Sequence, residues 1–211
     1  MFHTYYLFIA LVPSVILHEV SHGWVANYFG DPTAKNAGRL TLNPIAHVDP
    51  FGTIVLPALL VFVGLPAFGY AKPVPVNISR LRKPRQQSLY VSLAGPFVNI
   101  VLSAIGLIIC ISSSASAGGQ LYVTHATWFF VGESLGIVNL ILAVFNLLPI
   151  PPLDGSAIIE RLVPDKHLGR YYQFRSRALP LVMAFIFLSE FVFHFGNNAV
   201  GSLENWWFNL I

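Results

Sequence analysis

The sequence predicts an all-α polytopic membrane protein with four to six transmembrane helices, a small membrane-associated β element and a candidate re-entrant segment. Three observations carry that expectation. Of 211 residues, 55% are hydrophobic and only 10% charged, and mean hydropathy is +0.66, whereas soluble domains carry about 25% charged residues. The apolar residues gather in long runs, and a helical crossing needs about 20 of them, which leaves no room for a separate soluble domain. The basic residues sit in short connectors, so the formal charge of +3 and pI near 9.1 read as topology signals, with no nucleic acid partner. A single cysteine, Cys110, excludes an intrachain disulfide and a cysteine zinc cage. Its place in an apolar run indicates packing. The N-terminus lacks a basic region before its first apolar run, so no cleavable signal peptide is expected.

Phe2 to Phe29 reads as the first span, with Tyr5 and Tyr6 as interfacial anchors, and Gly30-Asp31-Pro32 stops it. Arg39 to Asn43 alternates polar and apolar residues, a strand pattern. Phe51 to Ala71 is long enough to cross, but Pro57, Gly64, Pro66 and Gly69 interrupt it, so it reads as broken or re-entrant. In Lys72 to Asn77 the prolines fall two apart and remove donors from one edge only, leaving the other edge able to pair with Arg39 to Asn43.

A connector with Arg80, Arg82, Lys83 and Arg85 is the densest basic patch. Ser88 to Ser112 forms the next span, with a kink expected near Asn99 because Pro96 removes a backbone donor and Gly95 allows close approach. Ser112 to Gly119 reads as an exposed loop, and Trp128 to Leu148 as a further span ending in the proline-rich run Asn146 to Gly155. A polar connector, a last span from Leu179 to Phe195 and an interfacial Trp206-Trp207 pair complete the chain.

Within the first span lies His18-Glu19-Val20-Ser21-His22. Residues four apart share one helix face, about 6 Å apart along the axis, so both imidazoles can grip one ion. This is the H-E-x-x-H zinc pattern, in which the Glu is general base toward a water activated by the metal. A carboxylate inside a span costs about 2.5 to 3.5 kcal/mol on insertion scales, which makes Glu19 a functional residue by default.

A catalytic zinc takes three protein ligands and an open position. The third ligand must come from Asp154, Glu133, Glu190, His194 or His47. Asp154 is best placed, at a proline-broken helix end beside Gly155, although an Asp there also suits a helix N-cap. Glu190 and His194 stand four apart and can pair with each other. Asn99 and Asn146 suit either helix packing or an oxyanion and substrate contact.

His18 to His22, Gly95-Pro96-Phe97-Val98-Asn99 and Asn146 to Gly155, each at a span and in this order, resemble the three signature motifs of the site-2 protease family of intramembrane zinc metalloproteases. The resemblance implies that Asp154 is the third ligand of one zinc ion, that Glu19 is the base, and that the substrate is a peptide bond in a membrane-spanning protein. It also implies a membrane-inserted β region that pairs with unwound substrate. Many relatives carry a PDZ domain, which does not fit in this chain.

Residues 1–211 are therefore expected to form one membrane-embedded metalloprotease domain, with a core at about residues 7–161 and an additional span at about 179–195. Its expected setting is the cell membrane, multi-pass, with lipid and transmembrane protein substrates as partners. Two alternatives are a metal transporter or metal-binding protein, which has no use for Glu19 as a base, and a catalytically inactive family member.

Overall fold

The structure, a computed structural model, describes residues 4–55, 58–59, 62, 71–117, 120–175, 177–178 and 195–211. Its frame is three long helices: α1 (Thr4–Tyr28), α3 (Pro84–Ser112) and α4 (Ala126–Leu147). Each is long and apolar enough to cross a membrane. A short α2 (Thr33–Asn36) follows α1, α5 (Ser156–Leu162) follows α4, residues 165–175 form α6, and α7 (Phe195–Phe208) closes the chain. The chain is a helical membrane protein. The expected re-entrant turn between Phe51 and Ala71 and the last span from Leu179 lie largely outside the described residues.

Side-chain contacts fix how the three helices run. Tyr6 stacks on Phe130, Ser14 meets Asn139, and His18 and His22 meet Asp154, so α1 and α4 run in the same direction. His22 meets Val91 and His18 meets Asn99, so α3 runs against both. Its contact with α4 is close because glycines face each other. A Cβ on Gly106 would lie 2.4 Å from the Gly136 backbone nitrogen and 2.6 Å from the Gly132 carbonyl oxygen. Small residues let helices approach in lipid, where hydrophobic burial between helices contributes little. Pro96 sits inside α3 and is fully buried.

The end of α1 follows from its sequence. Gly30 takes φ +109, the left-handed geometry of a helix C-cap, and the Asp31 N–H returns to the Ala26 carbonyl. The buried Asp31 carboxylate then accepts the backbone N–H and hydroxyl of Thr33 on one oxygen and the Asn77 N–H on the other. A distant extended segment is thereby pinned to the end of the first span.

Three sequence expectations are corrected. The two-stranded sheet is an antiparallel hairpin of β1 (Ser114–Ala117) and β2 (Gln120–Val123), in the stretch read as an exposed loop. Among the described residues, no backbone ladder joins 39–43 to 72–77. Instead the Arg39 guanidinium reaches across to the Lys72 and Pro73 carbonyls at 2.7 and 3.4 Å, a side-chain bridge that strand periodicity cannot reveal. Trp207 is in the core and not at an interface, because Gly136 has no side chain and the indole fills that space, 2.1 Å from where a Cβ would stand. Trp206 is exposed, as an interfacial residue would be.

Candidate metal centre

His18 and His22 sit one helical turn apart on α1, both buried, with ring centroids 4.8 Å apart. The Asp154 Oδ2 lies 3.1 Å from His18 Nε2 and 3.4 Å from His22 Nε2. The three donor atoms all fall within 4.8 Å of one another. Glu133 and His47 are buried but stand outside this cluster, and Glu190 and His194 lie outside the described residues.

The remaining imidazole nitrogens decide what the cluster can hold. His18 Nδ1 donates to Asn99 Oδ1 at 2.5 Å, and His22 Nδ1 donates to the Val91 carbonyl at 2.7 Å. With their protons fixed on Nδ1, both rings aim Nε2 lone pairs at the carboxylate. Asp154 Oδ2 is itself buried without a hydrogen-bond partner. Three convergent acceptors in a buried space repel one another until a cation sits between them. Two imidazoles and one carboxylate are a zinc donor set, and Nδ1 partners of this kind orient metal-binding histidines.

The space for an ion is kept open by Gly95 on α3. A Cβ there would lie 2.5 Å from His18 Cε1 and 2.6 Å from each Nε2. Gly95 and Asn99 are one helical turn apart, so one face of α3 supplies both the clearance and the His18 partner.

Asn99 belongs to a longer polar chain. Its Nδ2 donates to Asn139 Oδ1, the Asn139 amide donates to Ser14 Oγ, and the Ser14 hydroxyl donates to the Ala10 carbonyl. All three side chains are fully buried. Asn139 and Ser14 were not singled out in the sequence, although a mid-span amide is the signal that could have drawn attention to Asn139.

Asp154 owes its position to the proline run. Gly155 donates its N–H to the Asn146 carbonyl at 2.6 Å, and a Cβ on Gly155 would collide with the Leu147 carbonyl oxygen at 2.2 Å. The turn is therefore closed backbone on backbone, and Asp154 points inward; α5 starts at Ser156 without a side-chain cap. Asn146 donates its amide to the Leu142 carbonyl of its own helix.

Further contacts hold α5. Arg85 at the start of α3 donates to the Arg161 and Val163 carbonyls and pairs with Asp165. The buried Glu160 accepts from Tyr172 and Arg175, and the Tyr171 hydroxyl donates to the Ser156 carbonyl. Burial, then the hydrogen bond to Glu160, pushes Tyr172 up to about 12, so it stays a donor.

Glu19 lies beside the cluster, and its Oε2 accepts the Val74 N–H at 2.9 Å. A carboxylate next to a buried cation site in an apolar helix is the composition of a hydrolytic zinc centre.

Residues 6–189 match the model of peptidase family M50. The chain belongs to this family, that of the site-2 proteases. Among curated relatives, "Putative zinc metalloprotease YwhC" of Bacillus subtilis (strain 168) is 42% identical over 201 residues, covering 95% of this chain and 86% of that protein. "Putative zinc metalloprotease Rip2" of Mycolicibacterium smegmatis is 34% identical over 154 residues, 70% of this chain and 53% of that protein. "Zinc metalloprotease MJ0392" of Methanocaldococcus jannaschii is 27% identical over 161 residues, 76% of this chain and 35% of that protein. The chain thus spans most of the Bacillus relative and about half of the mycobacterial one. No solved structure matches. The M50 chain is a zinc metalloprotease, and its His-His-Asp cluster is a site that suits the ion.

Proposed function

We propose that this M50 protease hydrolyses peptide bonds in the transmembrane segments of other proteins in the cell membrane, as one catalytic domain. One observation carries the reading: a buried cluster of two Nε2 atoms and one carboxylate oxygen, with Glu19 beside it, set inside a bundle of membrane-length helices. His18, His22 and Asp154 would hold the zinc. Bound there, zinc polarises the scissile carbonyl and acidifies a water. Glu19 takes the proton of the attacking water and delivers it to the leaving amine, which makes it base and then acid. Asn99 holds the His18 ring, and the second Nδ2 hydrogens of Asn99 and Asn146 are the uncharged donors we assign to a substrate carbonyl or the developing oxyanion.

A helical substrate shields its peptide bonds by its own hydrogen bonds, so cleavage requires local unwinding with the freed backbone paired elsewhere. The extended 72–77 segment, whose Pro73 and Pro75 are exposed, stands beside Glu19 and is suited to flank such a strand.

The test uses purified protein and a single-pass transmembrane substrate. Glu19→Gln should keep its zinc and lose about 100-fold or more of the cleavage rate. Wild-type cleavage by that variant would refute the hydrolytic reading. A metal carrier, the competing class, would show metal movement across vesicles with no cleavage by either protein.

A further inference from the structure

We infer that the backbone N–H of Val74 is the positioning group for the general base, holding the Glu19 carboxylate in its reactive orientation. The inference rests on the reading of Glu19 as base. It begins with the sequence Lys72-Pro73-Val74-Pro75-Val76. Pro73 and Pro75 have no N–H, so Val74 is the one donor in that three-residue window, and its neighbours cannot compete for the same acceptor.

The structure aims that donor at Glu19, with Val74 N 2.9 Å from Oε2. It is the single hydrogen bond that Glu19 makes among the described residues, and it leaves Oε1 open for proton transfer.

The segment is fixed by contacts that do not involve Glu19. At one end the Lys72 N–H donates to the His47 carbonyl, and Arg39 holds the Lys72 and Pro73 carbonyls. At the other end the Asn77 N–H donates to the Asp31 carboxylate at 2.6 Å. Between them the buried Val74 side chain packs on α1 at Gly23, where a Cβ would lie 2.8 Å from Val74 Cγ1 and 2.6 Å from Leu40 Cδ2. Four anchors thus present the amide to the carboxylate, and the carboxylate is not needed to hold the segment. A longer side chain such as Glu has three rotatable bonds, and a fixed donor on one oxygen selects among their rotamers. Reaction rates depend on such placement, since a misplacement of about 1 Å can cost about 100-fold.

The experiment compares Val74→Pro, which removes the donor, with Val74→Ala, which keeps it and loses only packing. Both are prepared as full-length zinc-loaded protein and assayed on a transmembrane peptide carrying a fluorophore and quencher. The expected result is a kcat about 10- to 100-fold lower for Val74→Pro, with KM and zinc content unchanged, and a clearly smaller loss of kcat for Val74→Ala, which keeps the donor and gives up only the packing at Gly23. Equal kcat values for the two variants would overturn the inference. If Val74→Pro loses zinc or stability, the α-hydroxy acid analogue of valine at position 74 replaces the N–H by an ester oxygen without a ring, and the same comparison decides. Glu19→Gln is measured alongside. Its failure to reduce kcat overturns the base reading and this inference together, whereas an inactive Glu19→Gln beside a fully active donor-free variant overturns only the role of Val74.

Discussion

The Asn99 Oδ1 lies 2.5 Å from His18 Nδ1, and this one bond between α3 and α1 determines which imidazole nitrogen is left for a metal. The amide cannot swing away, because its Nδ2 is tied to Asn139, and Asn139 in turn to Ser14. A polar chain across three helices therefore terminates in one ring orientation. Replacing Asn99 with Ala should weaken zinc binding or activity about 10- to 100-fold while leaving the helices assembled. Titration with a competing chelator reads the affinity, and an unchanged affinity and rate would show that the His18 ring needs no such partner.

Gly95 offers a sharper test of where the ion sits. In Gly95→Ala the new methyl would stand 2.6 Å from both Nε2 atoms, in the space the ion requires. Zinc content should fall far more than for Gly106→Ala, which strains the α3 and α4 contact but is remote from the imidazoles. Thermal unfolding of both variants separates lost metal from lost packing.

The directions of α1, α3 and α4 fix a topology. Asp154 can meet His18 and His22 only if α1 and α4 run alike, which requires an odd number of crossings between them, and α3 is one. Phe51 to Ala71 should therefore enter and leave on one side. With Cys110 replaced by Ser, single cysteines at the exposed Lys35 and Ser79 should label from the same face of sealed vesicles. Labelling from opposite faces would contradict the arrangement. The contact between Asp31 and Asn77 already brings the two connectors together.

Asp31 predicts a pH dependence. Burial raises its pKa, but the Thr33 hydroxyl, the Asn77 and Thr33 N–H groups and Arg80 outweigh that and hold the carboxyl below its usual range. A depressed folded-state pKa contributes stability that is present above the unfolded value of about 3.9 and is lost as pH falls through the folded value. Wild type should unfold at a higher temperature than Asp31→Asn near neutral pH, and the gap should narrow below about pH 4. A gap that does not change with pH would mean that the charge contributes nothing.

Much of this was legible in the residues because lipid leaves few options. Apolar runs of span length predicted α1, α3 and α4 to within a few residues, since only a helix satisfies its own backbone there. The i, i+4 histidines had to share a face, and the proline-broken turn marked Asp154 as the best-placed third group, which the structure sets against both imidazoles. Tertiary partners were not legible. Nothing in the periodicity of 39–43 says that Arg39 reaches the Lys72 carbonyl by its side chain, and nothing local to Trp207 says that Gly136 makes room for it. The β1 and β2 hairpin escaped because the Ser and Ala residues of β1 are weak strand signals, and the short Leu121-Tyr122-Val123 run of β2 had no recognisable partner strand beside it. The pairing of Val74 with Glu19, 55 positions apart, depends on four anchors elsewhere.

The most direct test of the whole account is the zinc stoichiometry of the purified protein, wild type beside Asp154→Ala, measured by elemental mass spectrometry after gel filtration. One zinc per wild-type chain and a large loss on removing the carboxylate are the predicted results, because two imidazoles alone make an incomplete site. A full zinc equivalent retained by Asp154→Ala would contradict the three-residue centre.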